Sequence, residues 1–197
     1  VKNGINGFGK KNFLGTFAPP WATINDYDLL SSLTERDWIC GFVEAVKVGL
    51  IKDAYLFNFV EANTDKIRRR DPSVAMPVLQ RSALLHLKHI AEGGDPFERT
   101  TARPLDFGHW SAHQLECMTD FRIRHGEAVA IGIALDTLYA RRIGLLAPDD
   151  AQRIIDGLHA LGFELYVDEM ADHAALLRGI DEFREHLGGQ LTLTLLK

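Results

Sequence analysis

Three histidines and a glutamate lie within one short stretch of this chain, and their side chains are of the types that bind transition metals. His109, His113 and Glu116 are spaced at i, i+4 and i+7, which places them on one face of a helix. His125 follows soon after, at the start of a strongly apolar segment. Because a short connection can return His125 to the side of His109, the stretch predicts a cluster of imidazoles and a carboxylate.

A divalent transition metal in a catalytic site takes about three protein ligands at roughly 2.0 to 2.2 Å and keeps one position open. Glu44 is the best further carboxylate, because a charge among the apolar residues around it needs a partner such as a metal or Lys47. Hydrogen-bonded histidines are also common in protein cores, and HxxxH pairs arise by chance. Spacing alone therefore leaves open both a metal site and a set of core histidines.

The elements that would position these residues are mainly helical. Apolar residues recur at helical spacing over 35–52, 54–69, 73–92, 109–118, 126–143, 149–161 and 169–186. Thr34 followed by Asp37 is typical of the start of the first helix. Residues 1–26 alternate apolar patches with Gly and Pro, which predicts a β-hairpin. Residues 190–197 alternate with a period of two, which predicts a strand that returns to this hairpin.

Composition and charge exclude several classes of protein. The chain has 197 residues, of which 46% are hydrophobic and 25% charged, as in ordinary globular proteins. Its net charge of -5 argues against a broad nucleic-acid surface, and no apolar stretch reaches the roughly 18 to 20 residues that span a bilayer. Cys40 and Cys117 lack the CxxC spacing of redox or zinc motifs and are expected to be free thiols in a reducing cytosol. We therefore expect a cytoplasmic protein with neither a nucleic-acid nor a membrane partner.

Five motifs occur in the order, and near the spacing, of those found in 3-dehydroquinate synthases. They are Asn12–Pro20, Asp26, Gly41-x-x-Glu44-Ala-Val-Lys47, Phe107-Gly-His109-x-x-x-His113 and His125-Gly-Glu-Ala-Val-Ala-Ile-Gly132. Each motif alone is weak, but the five in register extend over nearly the whole chain. The chain therefore resembles the 3-dehydroquinate synthase family of sugar-phosphate cyclases.

This resemblance implies a mainly α fold: the helical C-terminal domain of such enzymes, with a short N-terminal β-hairpin, a C-terminal strand and the N-terminal α/β nucleotide-binding domain missing. Residues 1–30 would be a remnant of that α/β domain, carrying the hairpin and a substrate loop. Residues 31–189 would form the helical metal and substrate domain, and 190–197 the returning strand. The first residue is Val1 and not an initiator methionine, so we expect a truncated domain. The resemblance implies a homodimer for the full-length protein.

The resemblance also implies a metal, most often zinc with cobalt or iron as alternatives, held by Glu44, His109 and His125. His113 would then transfer protons and form hydrogen bonds without binding the metal. The resemblance thus argues against His109 and His113 as a pair of metal ligands. The same resemblance gives catalytic roles to Lys47 and Lys88. It gives substrate-binding roles to Lys2, Lys11, Asn12, Arg103, Asp106 and His186. Lysines and an arginine suit a phosphorylated sugar acid, which carries about three negative charges.

Enzymes of this family use NAD, which removes a hydride from the substrate before phosphate is eliminated. The ketone is then reduced again and the enol closes a ring in an aldol step. The NAD pocket would lie mainly in the missing domain. We therefore expect the chain to be inactive by itself.

Three departures from the family pattern bear on the substrate. Asp106 stands where Asn is usual, Trp110 replaces a small Thr or Ser, and Arg184-Glu185-His186 replaces Asp-Lys-Lys. They favour a substrate other than the shikimate-pathway sugar acid, with cyclases that form valiolone-like or inosose-like rings as neighbours. Two alternatives stay open: a metal-dependent polyol or glycerol dehydrogenase, whose site typically holds Asp and three His, and a noncatalytic helical metal-binding module.

Overall fold

The computed structural model of the protein describes residues 2–8, 10–17, 21–92, 104–186, 189 and 191–197. The side chains at positions 2, 3, 10–12, 16, 17, 185 and 186 lie outside this description. Within it, a two-stranded hairpin precedes eight α-helices. The elements are β1 (Lys2–Gly7), β2 (Lys10–Phe17), α1 (Glu35–Lys52), α2 (Ala54–Glu61), α3 (Thr64–Arg68), α4 (Pro72–Glu92), α5 (His109–Met118), α6 (His125–Arg142), α7 (Pro148–Leu161) and α8 (His173–His186). Short 3-10 turns lie at Tyr27–Ser32, Pro104–Asp106 and Asp168–Ala171.

Helix α1, which carries Glu44, begins at a capped residue and buries one face. The side chain of Thr34 accepts a hydrogen bond from the backbone N–H of Asp37 at 3.1 Å. A cap of this kind stabilises a helix by about 1 kcal/mol. Phe42 and Val43 on the buried face are at most 1% exposed. The predicted start of this helix is therefore confirmed.

Helix α6 lies at the centre of the core and contacts α1, α5 and α7. Ala128, Val129 and Ile133 are fully buried. The start of α5 approaches α6 so closely that a Cβ atom at Gly132 would overlap the carbonyl oxygen of Gly108. Because only glycine leaves room for that carbonyl, Gly132 sets the approach that brings the start of α5 against α6.

The N-terminal hairpin is antiparallel, as predicted. Its register pairs Lys2 with Phe17 and Ile5 with Leu14, and an irregularity lies between Ile5 and Gly7. Strand β2 contacts α5, the helix that begins at His109. The hairpin is thus adjacent to a helix of the candidate site.

The mainly α fold class is confirmed, but two of the predicted helices are divided. The helix predicted at 54–69 is α2 followed by α3, because Asn63 leaves the helical backbone range and its side-chain amide donates to Phe59 O at 2.9 Å. The helix predicted at 169–186 is a 3-10 turn followed by α8. The side chain of Asp172 accepts from Ala175 N–H at 2.9 Å, so a new helix begins there.

The strand predicted at 190–197 is wrong. Residues 191–197 have no regular secondary structure, and within the described ranges the two hairpin strands pair only with each other. Leu191 and Leu193 are 39% and 38% exposed, whereas Leu196 packs against the core. A period of two predicts a strand only when its apolar side is buried, and here the alternating leucines face outward.

Among the described residues neither Cys40 nor Cys117 is in a disulfide bond, as the sequence predicted. Burial raises the pKa of the Cys40 thiol to about 11, so this group stays protonated at neutral pH.

None of the helices in the described ranges is long and apolar enough to cross a lipid bilayer.

Candidate metal centre

Three helices contribute one residue each to a cluster of ligand atoms. Glu44 lies in the middle of α1, His109 is the first residue of α5, and His125 is the first residue of α6. Helix α6 contacts both α1 and α5, which brings the three residues together. One ligand atom from each residue lies within 4.8 Å of those of the other two. The structure thus assembles the three residues that the resemblance assigns to the metal.

The two imidazoles face the same carboxylate oxygen. Nε2 of His109 lies 3.9 Å and Nε2 of His125 lies 3.8 Å from Oε1 of Glu44. Ligands bound to one zinc ion at about 2.0 to 2.2 Å are typically ~3.4 Å apart in tetrahedral geometry. If each Nε2 moved about half an ångström closer to Oε1 of Glu44, the three atoms would have the spacing of zinc ligands.

The carboxylate of Glu44 divides its two oxygens between different tasks. Oε2 lies 2.6 Å from Nζ of Lys47, which is 4% exposed. Oε1 is enclosed and has no hydrogen-bond partner, although the side chain as a whole is 41% exposed. A buried carboxylate oxygen without a donor is costly unless a cation faces it. The residues present therefore fit a bound cation at Oε1.

Hydrogen bonds on the other ring nitrogens leave both Nε2 atoms available. Nδ1 of His109 lies 3.0 Å from the carbonyl oxygen of Phe107, which can only accept, so Nδ1 carries the hydrogen. Nδ1 of His125 lies 3.1 Å from Oε2 of Glu116, a residue that is 3% exposed. This is the arrangement by which a carboxylate or carbonyl orients a metal-binding histidine.

The electrostatics of the cluster favour the forms that bind metals. Burial, and after it the ammonium of Lys47, lowers the pKa of His109 to about 4, against the opposing effect of Glu44. Its imidazole is therefore neutral at pH 7. Burial would raise the pKa of Glu44, but the Lys47 ammonium outweighs it through its charge and its hydrogen bond, so that pKa is lowered. The cluster presents a carboxylate and a neutral imidazole.

A second set of ligand atoms, on His113, Glu116 and His125, shares one histidine with the first. Glu116 already accepts from His125, and the ring of His113 lies 5.5 Å from that of His109 and 6.1 Å from that of His125. The first set is the better candidate, because it contains the unpartnered Oε1 of Glu44.

Comparison with known proteins identifies the chain's relatives. The family described as 3-dehydroquinate synthase C-terminal matches residues 41–181. The chain belongs to the 3-dehydroquinate synthase family. That match includes the whole candidate metal centre, and it confirms the resemblance carried by the sequence motifs.

Relatives in this family include enzymes with different names. The 3-dehydroquinate synthase of Dictyoglomus thermophilum is 38% identical over 83% of this chain and 46% of its own length. The 2-epi-5-epi-valiolone synthase of Streptomyces glaucescens is 34% identical over 84% of this chain and 42% of its own. A solved 2-epi-5-epi-valiolone synthase from Streptomyces hygroscopicus subsp. jinggangensis 5008 is 29% identical, with a TM-score of 0.91 over 99% of this chain and 54% of that one. The chain thus spans about half the length of the relatives it matches.

The remaining residues that the family resemblance assigned are only partly described. Lys47 contacts the cluster through Glu44. Lys88 is exposed on α4 and lies 3.8 Å from Glu92, and Asp106 ends the turn just before α5. Their roles stay predictions.

The other assigned residues have side chains outside the described part of the chain. Lys2, Lys11 and Asn12 lie on the backbone of the hairpin strands, and His186 is the last residue of α8. Arg103 lies wholly outside the described residues.

Two acidic residues that hydrogen-bond the site or its neighbours were not assigned a role from the sequence. Glu116 orients His125, and its place on the helical stripe with His109 was the available signal. Asp136 accepts hydrogen bonds from residues on both sides of His109. Its only signal was a carboxylate within the apolar helix α6.

Proposed function

We propose that this chain is the metal- and substrate-binding part of a sugar-phosphate cyclase. With NAD, the whole enzyme would eliminate phosphate from a phosphorylated sugar or sugar acid and close a ring by an intramolecular aldol step. The observation that carries the proposal is the Glu44, His109 and His125 cluster, with its unpartnered carboxylate oxygen, in a chain of this family.

The cluster and one relative support the proposed cofactors. The solved 2-epi-5-epi-valiolone synthase was determined with NAD+ and Zn2+ bound, which supports the same pair here. One carboxylate and two imidazoles also suit zinc, with cobalt or iron as alternatives. When bound, the divalent ion supplies a Lewis acid that polarises substrate oxygens. We propose that residues 31–189 form the metal and substrate domain and that the NAD pocket lies mainly outside this chain.

The residues around the cluster have separate tasks in this proposal. The ammonium of Lys47 keeps Glu44 ionised and holds one of its oxygens at 2.6 Å, so that the other faces the histidines. Glu116 fixes the hydrogen of His125 on Nδ1. We assign proton transfer to the imidazole of His113, one turn after His109, because an imidazole accepts and releases protons near neutral pH.

The anionic substrate would be bound by cationic side chains. Phosphate and carboxylate groups are recognised by lysine as a point charge and by arginine as a fork of donors. We propose these tasks, together with hydroxyl contacts, for the assigned residues outside the metal ligands, namely Lys2, Lys11, Asn12, Lys88, Arg103, Asp106 and His186. Relatives named for two different products lie at similar identity, so phosphorylated sugar acids and phosphorylated sugars without a carboxylate both belong in the assay.

Metal content of the purified protein tests the proposal first. We expect about one metal per chain by elemental analysis, lost in both Glu44→Ala and His125→Ala. Glu61→Ala is the matched control. Glu61 pairs with Arg153 on the surface, so this substitution removes the same charge away from the cluster. A protein without metal, or variants that keep it, would contradict the metal centre.

Turnover must then be measured on the full-length enzyme with NAD and the two substrate classes. Phosphate release and a cyclic product, lost in the same two variants, would support the cyclase. Metal content without turnover in the full-length protein would support a noncatalytic metal-binding module. The chain alone is expected to release no phosphate.

A further inference from the structure

One buried carboxylate contacts both neighbours of His109. Asp136 lies on α6 and is 6% exposed. Its Oδ2 accepts from the backbone N–H of Gly108 at 2.9 Å, and its Oδ1 accepts from Nε1 of Trp110 at 2.8 Å. Both oxygens are thus used by the residues immediately before and after a candidate metal ligand.

A carboxylate in this position is expensive for the fold. Among the described residues, no lysine, arginine or histidine forms an ion pair with Asp136, and burial raises its pKa to about 6. A neutral side chain would avoid burying a charge. Locally unfavourable groups of this kind are expected at functional sites, where they are offset by the rest of the fold.

The segment that Asp136 holds is also confined by packing. Gly108 has φ of 76°, in the left-handed region, and a Cβ atom there would lie 2.8 Å from the backbone nitrogen of Ile133. The side chain of His109 is in turn held by the carbonyl of Phe107. The backbone that carries His109 therefore lies against α6 and is fixed there by the hydrogen bonds of Asp136.

We infer that Asp136 is a positioning residue, which through Gly108 and Trp110 fixes the direction in which Nε2 of His109 faces Glu44. The inference rests on the proposed metal centre. Trp110 stands where the family pattern has a small Thr or Ser, and its indole N–H supplies a donor that neither of those would place at the same distance. Trp110 and Asp136 thus form one unit in this chain.

Zinc affinity and the visible spectrum of bound cobalt distinguish positioning from simple stabilisation. Asp136→Ala removes both hydrogen bonds, and Trp110→Phe removes one while keeping an aromatic ring. We expect zinc binding, measured by competition with a chromophoric chelator, to weaken by about 10- to 100-fold in Asp136→Ala and by less in Trp110→Phe. The spectrum of Co2+, which reports ligand geometry, should change in both variants. Asp136→Asn, which keeps one acceptor oxygen, should recover part of the affinity.

Ile154→Ala is the control for general destabilisation, because Ile154 is buried on α7, which carries none of the cluster. It should lower the thermal midpoint and leave zinc affinity and the cobalt spectrum unchanged. Unchanged affinity and spectrum in Asp136→Ala would overturn the inference, and so would the same result in Trp110→Phe if Asp136→Ala does not fold. Absence of metal binding in the unsubstituted protein would overturn the metal centre itself, and this inference with it.

Discussion

The buried carboxyl of Asp136 should make the unfolding free energy of this protein fall as pH rises. Asp136→Asn should remove this dependence on pH. Burial raises the pKa of Asp136 from 3.8 to about 6, partly offset by its hydrogen bonds with Trp110 and Gly108. Between these two values the folded state binds more protons than the unfolded state. The stability from this group is therefore fully present below about pH 3.8 and is lost as pH rises through about 6.

The size of this change in stability follows from the difference between the pKa values of Asp136 in the unfolded and folded states. About two pKa units correspond to about 3 kcal/mol in total, of which about 2 kcal/mol is lost between pH ~4.5 and pH ~7.5. Asparagine does not titrate, so the variant lacks this loss. Its amide cannot accept a second hydrogen bond, which lowers stability by an amount that does not depend on pH. The unfolding free energy of Asp136→Asn minus that of the unsubstituted protein should therefore rise by about 2 kcal/mol over this range.

Urea unfolding of both proteins in metal-free buffer, followed by circular dichroism at several pH values, measures this difference. Groups that the two proteins share, including His109, cancel in the subtraction. The comparison therefore isolates Asp136. A difference that stays constant, or that falls as pH rises, would refute the assignment of a raised pKa to this carboxyl.

Two further predictions concern the site and its packing. Glu116→Ala should weaken zinc binding by about 10- to 100-fold, because His125 loses the acceptor on Nδ1; Glu61→Ala is the charge-matched control, and equal affinity in both variants would contradict this role. Gly108→Ala should lower the unfolding free energy by more than about 2 kcal/mol, since its Cβ would overlap the backbone of α6 at a φ of 76°. Gly157→Ala, in a helix with open space around it, should instead stabilise by about 0.5 to 1 kcal/mol in the same denaturation assay, so similar losses in the two variants would argue against the overlap.

Much of the helical architecture could be predicted from local patterns. The start of α1 followed from Thr34 and Asp37, which form the cap by themselves. The breaks at Asn63 and Asp172 were missed because each depends on one side chain turning back to the main chain, in competition with a continuous apolar period. The strand expected at 190–197 was wrong for a different reason, since a strand needs a partner that the sequence does not name.

The candidate site was predicted unevenly. The three residues of the cluster could be proposed from the sequence because they lie in motifs typical of the family. The structure brings their ligand atoms together. Asp136 could not, because its contacts with Gly108 and Trp110 join segments that are distant in sequence. Periodicity marks such a position only as buried.

The sequence by itself determined the chemical types in this protein: imidazoles and carboxylates at helical spacing, and apolar faces long enough for a helical core. These depend on side-chain chemistry and on the geometry of neighbouring residues, which are local. Only the tertiary structure decided that both Nε2 atoms face one unpartnered oxygen of Glu44, and that a second carboxylate holds the backbone on either side of His109. Those relations arise when α1, α5 and α6 pack, because hydrogen bonds between distant segments form only where the core brings donors and acceptors within about 3 Å.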